Sequence, residues 1–230
     1  MSQERFQQSE ASHRTSDLSA GISIGAGAFL LVLLMAHHPS IRPEGMAGAI
    51  AQMNRVAGLS GLVHGGLIVI VGVMLFGFSA FALRLGWSLA RVRLGMVAYG
   101  LGSLFMMGAA AVNGFIVTDL ARSYDGATAA ELEILRHLLR LCHATNQVLA
   151  GMGAFAMSIG IVSWSLVMVF RAGSARVVGS LGLAAGAFPI LGLLTGALRL
   201  DLHGEGAVVV AQAIWSLSVA AWLLRRGTPN

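Results

Sequence analysis

Charged side chains are scarce in this chain, and their scarcity excludes most classes of protein. Only 11% of the 230 residues are Asp, Glu, Lys or Arg, whereas a soluble domain carries about 25%. The sequence cannot cover a globule with a solvated surface, so soluble, disordered and coiled-coil proteins are excluded. The mean hydropathy of +0.77 and the hydrophobic content of 56% indicate an integral membrane protein instead.

Cysteine is nearly missing as well, and lysine is absent. The single cysteine, Cys142, excludes an intramolecular disulfide and any CxxC or CxxCH site. All 15 basic residues are arginines, and they lie between apolar runs rather than in one patch. The net charge of +5 therefore reflects membrane topology and not nucleic-acid binding. No Gly-rich phosphate loop occurs in a strand–helix context, which excludes the common nucleotide sites.

Six uncharged apolar runs follow a polar N-terminal segment. Each run is long enough to cross roughly 30 Å of hydrocarbon at about 1.5 Å per residue. The runs are 18–36, 61–83, 94–118, 144–170, 177–198 and 206–224. The sequence thus predicts an all-α bundle of six transmembrane helices within 18–226, between a disordered tail at 1–17 and a short tail at 227–230. Thr128 and Glu131 predict a capped helix that continues into the fourth run.

The placement of the arginines predicts the orientation of the bundle. Seven of them follow the second, fourth and sixth runs, namely Arg84, Arg91, Arg93, Arg171, Arg176, Arg225 and Arg226. Because arginines in short loops stay on the cytoplasmic side, both termini are predicted to be cytoplasmic. We therefore expect a multi-pass protein of a bacterial inner membrane, whose other face meets the periplasm.

Most of the polar chemistry falls at one end of the predicted helices. Six of the seven histidines lie at the predicted outer face, namely His37, His38, His64, His137, His143 and His203. Four amides lie at similar depth, namely Asn113, Asn146, Gln147 and Gln212. Polar groups in a membrane face a cavity or one another, so the pattern predicts a pocket that opens outward and is closed below. No carboxylate lies inside a run, which disfavours ion-coupled transport.

Histidine suggests a metal or haem cofactor in that pocket. Imidazole suits zinc, copper, nickel and iron, and the predicted ligands are His37, His38, His64, His143 and His203, with Asp119 as a carboxylate. Met35 would add a soft ligand that favours copper over zinc. The alternative is a b-type haem with His64 and His143 as axial ligands and with Arg55 and Arg140 near its propionates. Either cofactor implies metal handling or electron transfer.

Two other functional classes stay open. The segment from Ser60 to His64 resembles the SxxxH element of the ceramidase and adiponectin-receptor superfamily of membrane zinc hydrolases, and Asp119 would match its aspartate. The resemblance implies lipid hydrolysis by a zinc-bound water. That superfamily has seven spans and an HxxxH pair on its last helix, and this sequence has neither. The second class is a membrane assembly subunit, in which the segment 119–143 would dock onto another membrane protein or a second copy.

Overall fold

The described part of the computed structural model comprises residues 2–37, 45–200 and 202–227, and it contains six long helices and no strand. The helices are α1 (Ser2–Ala36), α2 (Gly45–Gly86), α3 (Ala90–Ser123), α4 (Ala129–Met168), α5 (Ser174–Leu194) and α6 (Leu202–Gly227). All six are long and apolar enough to cross a membrane. The predicted all-α architecture with six spans is therefore confirmed.

The helices form a ring in chain order. Each helix packs against the next one in the sequence, and α6 closes the ring against α1. Near the α2–α3 and α4–α5 loops, which we call the base, aromatic side chains fill the centre of the ring. This aromatic plug consists of Phe78, Phe81, Tyr99, Trp164 and Trp215. The ring of Phe78 lies 5.4 Å from the rings of both Trp164 and Trp215, and those two rings lie 6.3 Å from each other, so the three form one cluster that closes the bundle at this level.

The closest helix pair is α3 with α4, and glycine makes its approach feasible. Gly95 and Gly102 of α3 face Gly153 and Gly160 of α4, with a spacing of seven residues in each helix. A Cβ at Gly102 would lie 2.8 Å from the carbonyl oxygen of Gly153, and one at Gly160 would lie 2.8 Å from that of Gly95. No side chain fits there, so the two backbones meet directly, as small residues allow in membrane bundles.

Two helices extend well beyond the length that a membrane requires. Helices α2 and α4 have 42 and 40 residues, about twice the 20 that span a bilayer. Their first halves pack with the end of α3 around a separate apolar cluster of Ala49, Ile50, Met53, Ala121 and Leu135. We call this three-helix extension the cap. The predicted capping box of Thr128 and Glu131 starts α4, which then continues into the fourth span as predicted.

The first helix is longer than the sequence suggests. It begins at Ser2, so the residues predicted to be a disordered tail are helical. The tail contains three Gln, two Glu and two Arg, which have good helix propensity. Extending a helix that the apolar run has already nucleated costs little. Asp17, near the end of this segment, is buried and forms a 3.3 Å ion pair with Arg84, which joins α1 to α2 near the base.

Candidate functional site

A cavity of about 360 Å³ occupies the ring between the aromatic plug and the cap. Its wall is formed by α1, α2, α3, α4 and α6 together with the loop before α6. Seven polar residues from four helices line it, and all but Glu205 are among the predicted site residues: His64, Asn113, His143, Asn146, Gln147, Glu205 and Gln212. The polar groups that the sequence places at similar depth thus border one shared space. Its volume is within the range of small-ligand pockets, roughly 300–1,000 Å³.

His64 is held in one orientation by the preceding turn of its own helix. The side chain is 4% exposed, and its Nδ1 lies 2.8 Å from the carbonyl oxygen of Ser60. Since a carbonyl only accepts, Nδ1 carries the proton and donates it in this hydrogen bond. The lone pair of the neutral ring is therefore on Nε2. Histidines that bind metal ions show the same arrangement, with one ring nitrogen bonded to a carbonyl and the other coordinating the ion.

A π-helical turn at Val112–Ile116 brings α3 close to His64. Gly114 lies in this turn, and a Cβ there would be 2.8 Å from Cγ of His64 and 3.3 Å from its Nδ1. The hydroxyl of Thr118 donates to the carbonyl oxygen of Gly114 at 2.9 Å. Such turns occur frequently at functional sites. This turn was not predicted from the sequence.

Two of the amides connect α4 to its neighbours. The Nδ2 group of Asn146 donates to the carbonyl oxygen of Ala109 at 2.9 Å, just before the π-helical turn of α3. The Nε2 group of Gln147 donates to the carbonyl oxygen of Leu200 at 3.0 Å, in the loop before α6. Because both partners are carbonyls, the NH₂ groups must point at them. The amide oxygens are then the acceptor ends of these side chains.

The third amide connects α6 to α4. The Nε2 group of Gln212 donates to the hydroxyl of Ser158 at 3.1 Å, and that hydroxyl donates to the carbonyl oxygen of Ala154 at 2.6 Å. Its only proton is thus used, so Ser158 accepts from Gln212. In all three amides, the nitrogen joins α4 to another helix or to the loop before α6, and the oxygen is the acceptor end. Hydrogen bonds of this kind stabilise membrane bundles by roughly 0.6 kcal/mol each.

The cavity wall contains one acidic side chain. Glu205, at the start of α6, contributes a carboxylate to the wall, and no arginine does so among the described residues. Arg55 and Arg140, predicted to hold haem propionates, are exposed and lie outside the wall. A wall of acceptors and one carboxylate favours a cation or a hydrogen-bond donor over an anion. Glu205 was not predicted as a site residue, since it immediately precedes the sixth apolar run.

Three of the other predicted metal ligands lie away from the cavity. His37, His203 and Asp119 are exposed, and none of them lines the wall. The ring of His37 instead donates from Nδ1 to the carbonyl oxygen of Leu33 at 2.8 Å, at the end of α1. This is a typical role for a histidine in the last turn of a helix.

Two imidazoles are the part of the predicted ligand set that the structure brings together. His64 and His143 line the same cavity from α2 and α4. His38 lies outside the described residues. Within the described residues, no group of three or more His, Cys, Asp or Glu side chains is arranged to hold a metal ion. Any metal bound in the cavity would therefore need ligands of another type besides the two imidazoles.

The residues that resemble the zinc hydrolases do not meet at the cavity. Ser60 is buried, and its hydroxyl oxygen lies 3.3 Å from Nδ1 of His64. Asp119, by contrast, is exposed in the cap. Neither Ser60 nor Asp119 is part of the cavity wall. The serine therefore supports the orientation of His64, and the aspartate is not placed to act with it.

Similarity to known proteins offers no guide to the role of this cavity. No protein-family model, no curated protein and no solved structure matches this chain. The function is therefore inferred from the cavity and its side chains.

Proposed function

We propose that this membrane protein binds a transition metal ion in its cavity through His64 and His143 and serves in metal handling. The observation that carries the proposal is the pair of imidazoles on one cavity wall, one of them already oriented by a backbone carbonyl. Imidazole nitrogen is a good ligand for first-row transition metals. The Glu205 carboxylate and the amide oxygens favour a positively charged guest.

The same proposal places the cavity on the periplasmic side of a bacterial inner membrane. Its support is the charge at the base, where Arg84, Arg91 and Arg171 lie in or next to short loops. Short loops rich in arginine stay in the cytoplasm. With the base inside, the cap and the cavity face the compartment from which extracellular metal ions arrive.

The wall favours a bare ion over the other predicted functions. A b-type haem needs space for its ring and partners for its propionates, and neither glycine nor arginine lines the cavity among the described residues. Catalytic zinc sites have three protein ligands. In the described part of the chain, no group of three His, Cys, Asp or Glu side chains is arranged to hold a metal ion. Electron transfer by haem and lipid hydrolysis by zinc are therefore weaker proposals than metal handling.

Elemental analysis of the full-length protein tests the proposal. The protein is purified in detergent without chelator and assayed for copper, zinc and iron, alongside His64→Ala and His143→Ala. The control is His137→Ala, because His137 is exposed in the cap and lies 3.5 Å from Glu133, away from the cavity. We expect about one metal ion per chain in the wild type and the control and a loss of metal in both cavity variants.

His143 is exposed, so its replacement leaves the packing intact and keeps the test valid even if His64→Ala folds poorly. Metal retained at full stoichiometry by His143→Ala would contradict the proposal. A wild-type protein that takes up no metal would also overturn it and would favour the assembly-subunit function. Iron accompanied by a haem spectrum would replace the bare ion with a b-type haem on the same histidines.

A further inference from the structure

Methionine is concentrated in the wall of the cavity. Four of the 22 described lining residues are methionines, namely Met35, Met106, Met107 and Met157, against 11 of 230 in the whole chain. The wall is thus enriched about fourfold. Methionine in a core usually fills irregular gaps, but these side chains border an open space. Their thioethers are additional candidate ligands, of the type that the two imidazoles lack.

One thioether lies at the level of the histidines. Helix α1 packs along α2, and a Cβ at Gly66 would lie 3.3 Å from the side chain of Leu34. Gly66 follows His64 by two residues, so the end of α1 that carries Met35 runs beside His64. Both Met35 and His64 line the cavity. The end of the cavity toward the cap, which we call its mouth, therefore brings imidazole and thioether groups from two neighbouring helices into one region.

The other thioethers continue toward the aromatic plug. The methyl group of Met107 lies 3.7 Å from the Cβ position of Gly72. Gly72 follows His64 by eight residues in α2, which is about 12 Å along the helix axis at about 1.5 Å per residue. The sulfur of Met106 lies 2.7 Å from the Cβ position of Gly153 in α4. Soft ligands thus follow the wall from the mouth into the membrane-embedded half of the cavity.

Ligand type distinguishes between the candidate metals. Thioethers select copper(I), while imidazole suits several metals. Zinc prefers four tetrahedral ligands from Cys, His, Asp or Glu, and the described residues do not gather even three. Copper(I) accepts lower coordination numbers, so two imidazoles and a thioether suffice. We infer that the ion is copper(I), an inference that rests on the proposed metal function. His64, His143 and Met35 bind it at the mouth, and Met106 and Met107 are ligands deeper in the cavity.

Competitive metal titration tests this inference. The detergent-solubilised full-length protein is titrated without oxygen with copper(I) against a chromophoric chelator, and separately with silver(I) and zinc(II). The variants are Met35→Leu, Met107→Leu and the double substitution, because leucine keeps the volume of methionine. The control is Met152→Leu, since Met152 is 46% exposed and lies outside the wall. We expect the double variant to bind copper(I) at least about tenfold more weakly, and the control to match the wild type.

X-ray absorption at the copper edge gives a second readout that a packing defect would not mimic. We expect sulfur in the coordination shell of the wild-type protein and less sulfur in that of the double variant, in which Met106 remains. A shell without sulfur in the wild type, or zinc(II) bound as tightly as copper(I), would overturn the inference while leaving the metal function standing. Failure of all three ions to bind would remove both proposals.

Discussion

Replacing Gly114 by alanine should displace His64 without changing any group that contacts a ligand. The added methyl group would lie 2.8 Å from Cγ of His64, whereas carbon atoms in favourable contact are about 3.5–4.0 Å apart. Helices α2 and α3 would have to separate by more than about 1 Å, because the methyl group would lie closer still to Cβ of His64. The clash is with the root of the side chain, so a change of rotamer at its tip cannot relieve it.

The expected loss of stability follows from two opposing effects. Overpacking of this kind lowers the free energy of unfolding by about 1–3 kcal/mol, and alanine in place of glycine in a helix raises it by up to about 1 kcal/mol. Gly108→Ala is the matched control in the same helix, because its Cβ would lie 3.5 Å from Leu149, an ordinary contact. The difference between the two variants should therefore be about 1–3 kcal/mol.

Two assays separate the structural argument from the functional one. Unfolding of the metal-free protein in detergent measures stability, and equal stability of Gly114→Ala and Gly108→Ala would refute the packing argument. Copper(I) competition then measures the placement of His64. We expect a roughly 10- to 100-fold weaker affinity in Gly114→Ala, which is the usual effect of disturbing a residue that orients a metal ligand. An unchanged affinity would show that His64 does not hold the ion.

Three further outcomes follow from the packing and charge of the bundle. Phe78→Ala should lower the free energy of unfolding by about 3–5 kcal/mol. Phe76 is 61% exposed, so Phe76→Ala should change that free energy by less than about 1 kcal/mol. Denaturant titration compares the two variants. Gly102→Ala should unfold at a lower temperature than Gly108→Ala, because its Cβ meets backbone; identical melting curves would contradict the close α3–α4 packing. Glu205→Gln should weaken copper(I) binding several-fold in the competition titration, and an unchanged affinity would exclude its charge from the site.

Much of the fold could be predicted because a bilayer imposes simple requirements. Hydrocarbon tolerates only helices with satisfied backbone groups, so six long apolar runs already imply six helices. Short-range signals were equally readable, as in the capping box of Thr128 and Glu131. Depth could also be predicted, since position along a helix converts to height at about 1.5 Å per residue. For this reason the amino-acid sequence is enough to place His64, Asn113 and Gln212 at neighbouring levels.

What the sequence alone determined is thus the number of helices and the height of each residue, and the tertiary structure decided which way each residue faces. Met35 and His37 are two positions apart, which is a turn of about 200° around a helix; one lines the cavity while the other is exposed. The seven-residue glycine spacing of α3 and α4 and the approach of Gly114 to His64 also depend on which helices are neighbours. The direction in which a residue faces around its helix axis is set by contacts between residues far apart in the sequence, and no local pattern encodes it.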